Sequence, residues 1–170
     1  PSHAEAAVMA MPSFSVAGKD AVVIGAGRSG IPAAKLLRER GANVTLADSA
    51  TSIDRESDLR DAGVTVELGP HRTDLLERAD LVVLSPGVDP EQPLIAAARR
   101  NGIPVIGELE LASRWVNGRM IAITGTKGKS TTTTLTSKIL TEAGFDAPAG
   151  GNIGTALSGQ VADSTKATLH

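Results

Sequence analysis

The run Ile121-Ala122-Ile123-Thr124-Gly125-Thr126-Lys127-Gly128-Lys129-Ser130-Thr131 holds the side chains best suited to chemistry. An apolar, β-branched stretch that suits a buried parallel strand meets two glycines and a Lys-Ser pair, and helix-compatible residues continue to about Glu142. Strand, glycine turn and helix N-terminus together make an anion cradle, because amides with no helical partner and the positive end of the helix macrodipole converge on one point. Lys129 can reach the β and γ phosphates of a nucleotide, and the hydroxyl of Ser130 or Thr131 can ligate Mg²⁺. The usual G-x-x-x-x-G-K-S/T spacing is shortened, since only Thr126 and Lys127 separate Gly125 from Gly128 and Ile123 stands at the earlier glycine position. A purely structural alternative makes Lys129 a solvated charge and residues 131–134 a β-branched helix start.

A second glycine turn, Gly25-Ala26-Gly27-Arg28-Ser29-Gly30, has the G-x-G-x-x-G form. It lies between a short apolar strand and a helix, and Asp48 ends the next strand about 20 residues on, where nucleotide-binding αβ units place an acid on their ligand. The amides of Ser29, Gly30 and Ile31 could receive a pyrophosphate and Arg28 could pair with it. On this pattern the ligand is NAD or NADP, and a ligand-free strand-to-helix turn is the alternative. Ser85-Pro86-Gly87 follows the apolar strand 81–84; Ser85 and Gly87 face the same crevice as Gly27 and Asp48 if the strands are parallel, or form a plain Pro-Gly turn.

The elements that must position these loops alternate along the chain. Strands are expected at 21–24, 43–47, 64–68, 81–84 and 104–106, and helices at 31–40, 55–62, 75–78, 93–101 and 108–116. Strands without polar alternation, each followed by a helix, imply a parallel sheet covered on both faces. After Asn117-Gly118 come a strand from Met120, the phosphate loop and its helix, a Gly-rich loop at 149–154, a short helix at about 155–161 and a strand start at Ala167. The fold class is therefore α/β. A Rossmann-like parallel-sheet domain (16–117) precedes the start of a P-loop-type central ATPase domain (118–170), too short to cover a sheet of its own. Residues 1–15 read as a tail, either disordered or appended, with Met11 as the native start.

Composition narrows the function classes. The 170 residues carry 17 basic and 19 acidic side chains, a net charge of −2, so no electrostatic footprint for nucleic acid or an anionic membrane is present. No run approaches the roughly 18 apolar residues of a membrane helix. Cysteine is absent, which excludes disulfides and thiolate metal sites and suits a cytoplasmic protein. His3, His71 and His170 do not cluster in sequence, and surface placement is expected for each.

The short loop from Gly125 to Thr131, followed by Gly150-Gly151-Asn152-Ile153-Gly154, resembles the Mur ligases and their relative folylpolyglutamate synthase. GAGRSG at 25–30, LAD ending in Asp48, SPGV at 85–88 and GELEL at 107–111 resemble the branch that adds D-glutamate. The resemblance implies an ATP- and Mg²⁺-dependent ligase acting on UDP-N-acetylmuramoyl-L-alanine and D-glutamate through an acyl phosphate. It changes the ligand of the first turn: Gly27, Arg28, Ser29 and Gly30 would hold the diphosphate of UDP, Asp48 and Ser49 the uridine, and Ser85 and Gly87 would line the site. Some members carry Thr-Arg after the acid; here Ser49 keeps the hydroxyl and Ala50 lacks the arginine. Lys127 stands where Asn or His is common. Gly125, Thr126, Lys127, Gly128, Lys129, Ser130 and Thr131 would hold ATP, with Lys129 and Asn152 acting in catalysis and Asn152 also facing the UDP substrate. The family's metal-binding glutamate, carbamylated lysine and amino-acid-binding domain find no counterpart in these residues, so the expectation is a monomeric piece that binds nucleotide without completing ligation.

Overall fold

The computed structural model describes residues 14–70 and 74–170. Residues 1–13, which include His3, and residues 71–73, which include His71, lie outside them. Five short strands, β1 (Asp20–Ile24), β2 (Asn43–Asp48), β3 (Thr65–Leu68), β4 (Leu81–Leu84) and β5 (Val105–Gly107), form one parallel sheet in the order β3-β2-β1-β4-β5. Ile24 pairs with Ala47 on one side and Leu84 on the other, so the carboxyl ends of β1, β2 and β4 share one edge. The chain steps outward through β2 and β3, then returns to the other side of β1 for β4 and β5. That reversal opens a crevice above the carboxyl ends of β1 and β4.

The runs of unalternating apolar residues are explained by burial on both faces. Val23 and Val83 pack with Ala33, Ala34 and Leu37 of α1 (Gly30–Glu39) on one face. Val22, Ile24, Val82 and Leu84 pack with Ile95 and Ala98 of α3 (Pro93–Arg100) on the other. Leu37 is fully buried, and truncating such a side chain to Ala costs about 2–5 kcal/mol. Two shorter helices, α2 (Glu56–Asp61) and α4 (Glu108–Ser113), complete this unit. Pro93 opens α3, where its missing N–H has no helical acceptor to lose. Residues 75–78 form turns in place of the expected helix, closed by bonds from Glu77 to Asp74 and from Ala79 to Leu76; both span three residues, so the i→i−4 repeat of an α-helix is not established.

Beyond Gly118 the expected strand from Met120 does not extend. Its pairing is limited to a parallel bridge between Arg119 and Leu169, flanked by bonds from Ile121 N to His170 O (2.7 Å) and from His170 N to Arg119 O (2.8 Å). A strand needs a neighbour to satisfy its amides and carbonyls, and residues 122–124 find none among the described residues. The helix after the phosphate loop, α5 (Lys129–Glu142), buries no residue, and Leu135 and Ile139 on its apolar stripe are 57% and 59% exposed. By contrast α6 (Leu157–Gln160) docks on the first unit: Leu157 and Val161 close a small core with Leu36 of α1 and Ala112 of α4, with Trp115 against it. Among the described residues no helix is long and apolar enough to cross a membrane.

Candidate functional site

A cavity of about 540 Å³ occupies the crevice at the sheet reversal. Gly27, Arg28 and Ser29 line it from the first glycine turn, Asp48 and Ser49 from the end of β2, and Ser85 and Gly87 from the end of β4. Asn152 reaches it from the Gly-rich loop of the second unit. Gly30 stands behind the lining, and its need for glycine is steric: a Cβ there would fall 1.7 Å from the Gly25 carbonyl oxygen and 3.2 Å from Ser85 Oγ. Removing the side chain lets α1 start directly against the end of β1. A Cβ at Gly27, on the open side, would meet nothing within 4 Å.

The anion-binding elements of this turn differ in one respect from expectation. The amides of Ser29 and Gly30 have no acceptor among the described residues, while that of Ile31 already donates to Gly27 O at 3.3 Å as the first bond of α1. Two of the three expected donors, Ser29 and Gly30, thus remain open, beside the exposed Arg28 guanidinium, whose Nη2 lies 3.5 Å from Asn152 O. Asp48 is not only a ligand-facing acid. Its Oδ2 accepts the Ala26 amide at 2.6 Å and its Oδ1 accepts the Ala50 amide at 2.8 Å, so the carboxylate fixes both turns that border the cavity. Each oxygen retains a lone pair with which to accept from a ligand. Pro86 and Val88 of the SPGV stretch also line the cavity, as does Gln92; sequence reasoning missed Gln92, the N-cap of α3, because only the fold brings the start of that helix to the crevice.

The phosphate loop has the form of an anion cradle. Gly128, the N-cap of α5, has φ +79°, which turns the chain into the helix with no side chain in the way. The amides of Lys129, Ser130 and Thr131 have no acceptor among the described residues, and the first helical bond is Thr132 N to Gly128 O at 2.9 Å. Lys129 Nζ donates to Gly125 O at 2.5 Å, which holds the ammonium over the loop. Three free amides and a centred cation suit a polyphosphate. Lys129 and Ser130 line a second cavity of about 760 Å³, whereas Gly125, Thr126, Lys127, Gly128 and Thr131 stand outside it, exposed. Among the described residues no group of three or more His, Asp or Glu side chains could hold a metal ion.

The two cavities share a wall made of Ser85, Pro86, Val88, Gly151 and Asn152. The loop carrying Gly151 and Asn152 is closed by a bridge between Gly150 and Thr155, and Gln160 Nε2 donates to Ala149 O (3.1 Å) and Thr155 O (2.9 Å) at its two ends. His170 is half-buried, against the expected surface placement. Its Nδ1 lies 3.1 Å from Gln160 Oε1 and its Nε2 2.7 Å from Ser164 Oγ. Because Gln160 spends its NH₂ on two carbonyls, its oxygen faces an Nδ1–H, and Nε2 accepts from Ser164. Burial lowers the His170 pKa below 6.5, opposed by the negative charge of Asp146.

With that geometry in place, comparison with known proteins decides the family. Residues 19–107 match the Mur ligase MurD-like N-terminal domain. The chain belongs to the MurD-like Mur ligases. A UDP-N-acetylmuramoylalanine--D-glutamate ligase of Koribacter versatilis is 48% identical over 145 residues, which cover 84% of this chain and 32% of that protein. The ligase of the same name from Desulfatibacillum aliphaticivorans is 44% identical over 155 residues, 89% of this chain and 34% of that one. This MurD-like chain thus spans about a third of the length of the curated relatives it matches. Among solved structures, a murein peptide ligase from Psychrobacter arcticus superposes with a TM-score of 0.54 at 30% identity, over 76% of this chain and 28% of its own. A pseudomurein peptide ligase type C from Methanothermus fervidus, with a TM-score of 0.55 at 22% identity over 89% of this chain and 32% of its own, agrees in fold. In this MurD-like chain the family match ends at the last residue of β5, so the phosphate loop, α5 and α6 all lie beyond it.

Proposed function

We propose that this chain provides the UDP-substrate cavity and the triphosphate loop of an ATP-dependent ligase of peptidoglycan precursor synthesis, one that adds D-glutamate to UDP-N-acetylmuramoyl-L-alanine. The observation that carries the reading is the meeting of two anion-binding turns at one wall: free amides and Arg28 on one side, free amides and Lys129 on the other, with Asn152 between them. The names of the relatives support the substrate pair. In the reaction an L-alanyl carboxylate oxygen attacks the γ-phosphorus of ATP and ADP leaves; the amine of D-glutamate then attacks the acyl carbon, phosphate departs, a proton is lost and the amide remains.

The residues divide the work by position. Gly27, Arg28, Ser29 and Gly30 hold the diphosphate of the UDP substrate, while Asp48 and Ser49 border its uridine and Ser85 and Gly87 floor the cavity. Gly125, Thr126, Lys127 and Gly128 wrap the ATP phosphates, Lys129 offsets charge that builds between carboxylate and γ-phosphate, and Ser130, with Thr131 beside it, faces Mg²⁺, which supplies further charge screening when bound. Asn152 orients the acyl end between the two sites. The work is cytoplasmic and monomeric, with no nucleic-acid or membrane partner.

Calorimetric titration of the 170-residue chain tests the first half: UDP is expected to bind and NAD not to, and a preference for NAD would overturn the reading in favour of a dehydrogenase cofactor domain. The second half is tested on the full-length protein, where ADP release is expected to require both UDP-N-acetylmuramoyl-L-alanine and D-glutamate. Release that ignores D-glutamate and follows another amino acid would reassign the member.

A further inference from the structure

Glu108, the first residue of α4, is 1% exposed, and its Oε1 accepts the Ser158 amide at 2.7 Å across 50 residues of sequence. Its Oε2, and the Ser158 hydroxyl, are buried without a partner among the described residues. A buried carboxylate with an unmatched oxygen costs stability relative to an apolar side chain of similar volume, so packing alone gives no reason for an acid here. The consequence of the bond lies further along α6. Two residues beyond Ser158, Gln160 pins both ends of the 149–155 loop, at Ala149 O and Thr155 O. A Cβ at Gly150 would fall 2.6 Å from Gln160 Nε2, so loop and helix are in direct contact. The tip of that loop places the Asn152 carbonyl 3.5 Å from Arg28, and Gly151 and Asn152 line both cavities.

We propose that Glu108 is a positioning residue: through Ser158 and α6 it holds the 149–155 loop on the first unit and so sets the wall shared by the UDP cavity and the phosphate-loop cavity. Asn152 and Arg28 are separated by 124 residues, and α6 is the element that brings them to one place. Apolar packing of Leu157 and Val161 fixes α6 against Leu36 and Ala112 but leaves it free to slide or turn. A single directional bond from a buried acid removes that freedom. The inference rests on the ligase reading only in taking UDP as the probe.

The test compares Glu108→Leu, Glu108→Asp and Glu108→Gln in the 170-residue chain. Leu deletes the acceptor, and Asp keeps the charge but draws the carboxylate back by one methylene; both are expected to weaken UDP binding roughly five- to tenfold, the scale of one charge-assisted hydrogen bond partly compensated elsewhere. Gln still offers a carbonyl oxygen to Ser158 N and is expected to stay within about twofold of wild type. Wild-type affinity in Leu and Asp, or a Gln variant as weak as Leu, overturns the proposal. Hydrogen exchange on the ligand-free chain reads the tether independently of any ligand: amides 150–155 are expected to exchange faster in the Leu and Asp variants while β1 and β4 are unchanged. Unchanged exchange at 150–155 also overturns it. If the wild-type chain fails to bind UDP, the ligase reading falls, and the exchange result alone decides the role of Glu108. Trp115, the only tryptophan in a chain without tyrosine, packs beside α6, and its emission is expected to shift on UDP addition in wild type and Gln but less in Leu.

Discussion

Asp48 Oδ2 accepts the amide hydrogen of Ala26 at 2.6 Å, tying the end of β2 to the glycine turn that leaves β1. The same carboxylate holds Ala50 at 2.8 Å. Asp48→Ala therefore loses two charge-assisted bonds to backbone at a half-buried site, and is expected to cost about 1–3 kcal/mol in urea unfolding as well as weakening UDP. Asp48→Asn keeps one acceptor and should lose less in both measurements. Full stability in the Ala variant would show that the turn holds its shape without the acid.

The two inner glycines of the first turn should respond in opposite ways. At Gly30 an added Cβ would collide with the Gly25 carbonyl, and the backbone can relieve that only by moving α1 off β1. Gly30→Ala is expected to destabilise by about 1–3 kcal/mol or more, as overpacking does. At Gly27 the same methyl meets open space. Gly27→Ala is expected to melt near wild type yet bind UDP more weakly, because the methyl occupies the approach to the free amides. Equal melting temperatures for the two variants would contradict this contrast.

Lys129 sits over its loop through the bond to Gly125 O and lines the second cavity, away from the UDP crevice. In the full-length protein Lys129→Ala is expected to lower turnover by about 10²–10³, the usual effect of losing one preorganised charge at a reacting centre. UDP affinity of the 170-residue chain should be unchanged by the same substitution. A parallel loss of UDP binding would mean that the two loops do not act on separate ligands.

The bonds around His170 require a neutral ring, with Nδ1–H facing Gln160 and Nε2 accepting from Ser164. Burial puts the folded pKa below 6.5, so between the two values the unfolded chain holds more protons than the folded one. Stability from this group is therefore complete above 6.5 and is lost as pH falls through the depressed folded value. Hydrogen exchange at Arg119 and Ile121 is expected to accelerate as pH falls from 6.5 through the depressed folded value, after correction for intrinsic rates. His170→Ala should remove the dependence.

Much of the first unit was legible from the sequence for a local reason. Apolar runs such as 81–84 and glycine turns such as 25–30 carry their own geometry, so the parallel sheet follows from the pattern, whereas the reversal at β1 and β4 that sets Asp48, Ser85 and Gly87 around one crevice is decided by strand order in the fold. The phosphate loop was legible in the same way, since free amides at a helix start depend only on the turn that precedes them. The strand expected from Met120 was not, because a strand is completed by a neighbour, and residues 122–124 find none among those described.

What the tertiary structure alone decided are the bonds between distant residues. No pattern in Glu108 to Leu111 marks the first of two nearby acids as buried and the second as exposed; the docking of Ser158 selects Glu108. Nothing near Gln160 announces that it spans a loop, and His170 reads as a surface residue until Gln160 and Ser164 enclose it. The chain by itself determined where phosphate can be held, because that is the chemistry of a turn. Only packing across α1, α4 and α6 decided that the loop carrying Asn152 borders the cavity of the first glycine turn, because the energy that joins them comes from side chains far apart in sequence.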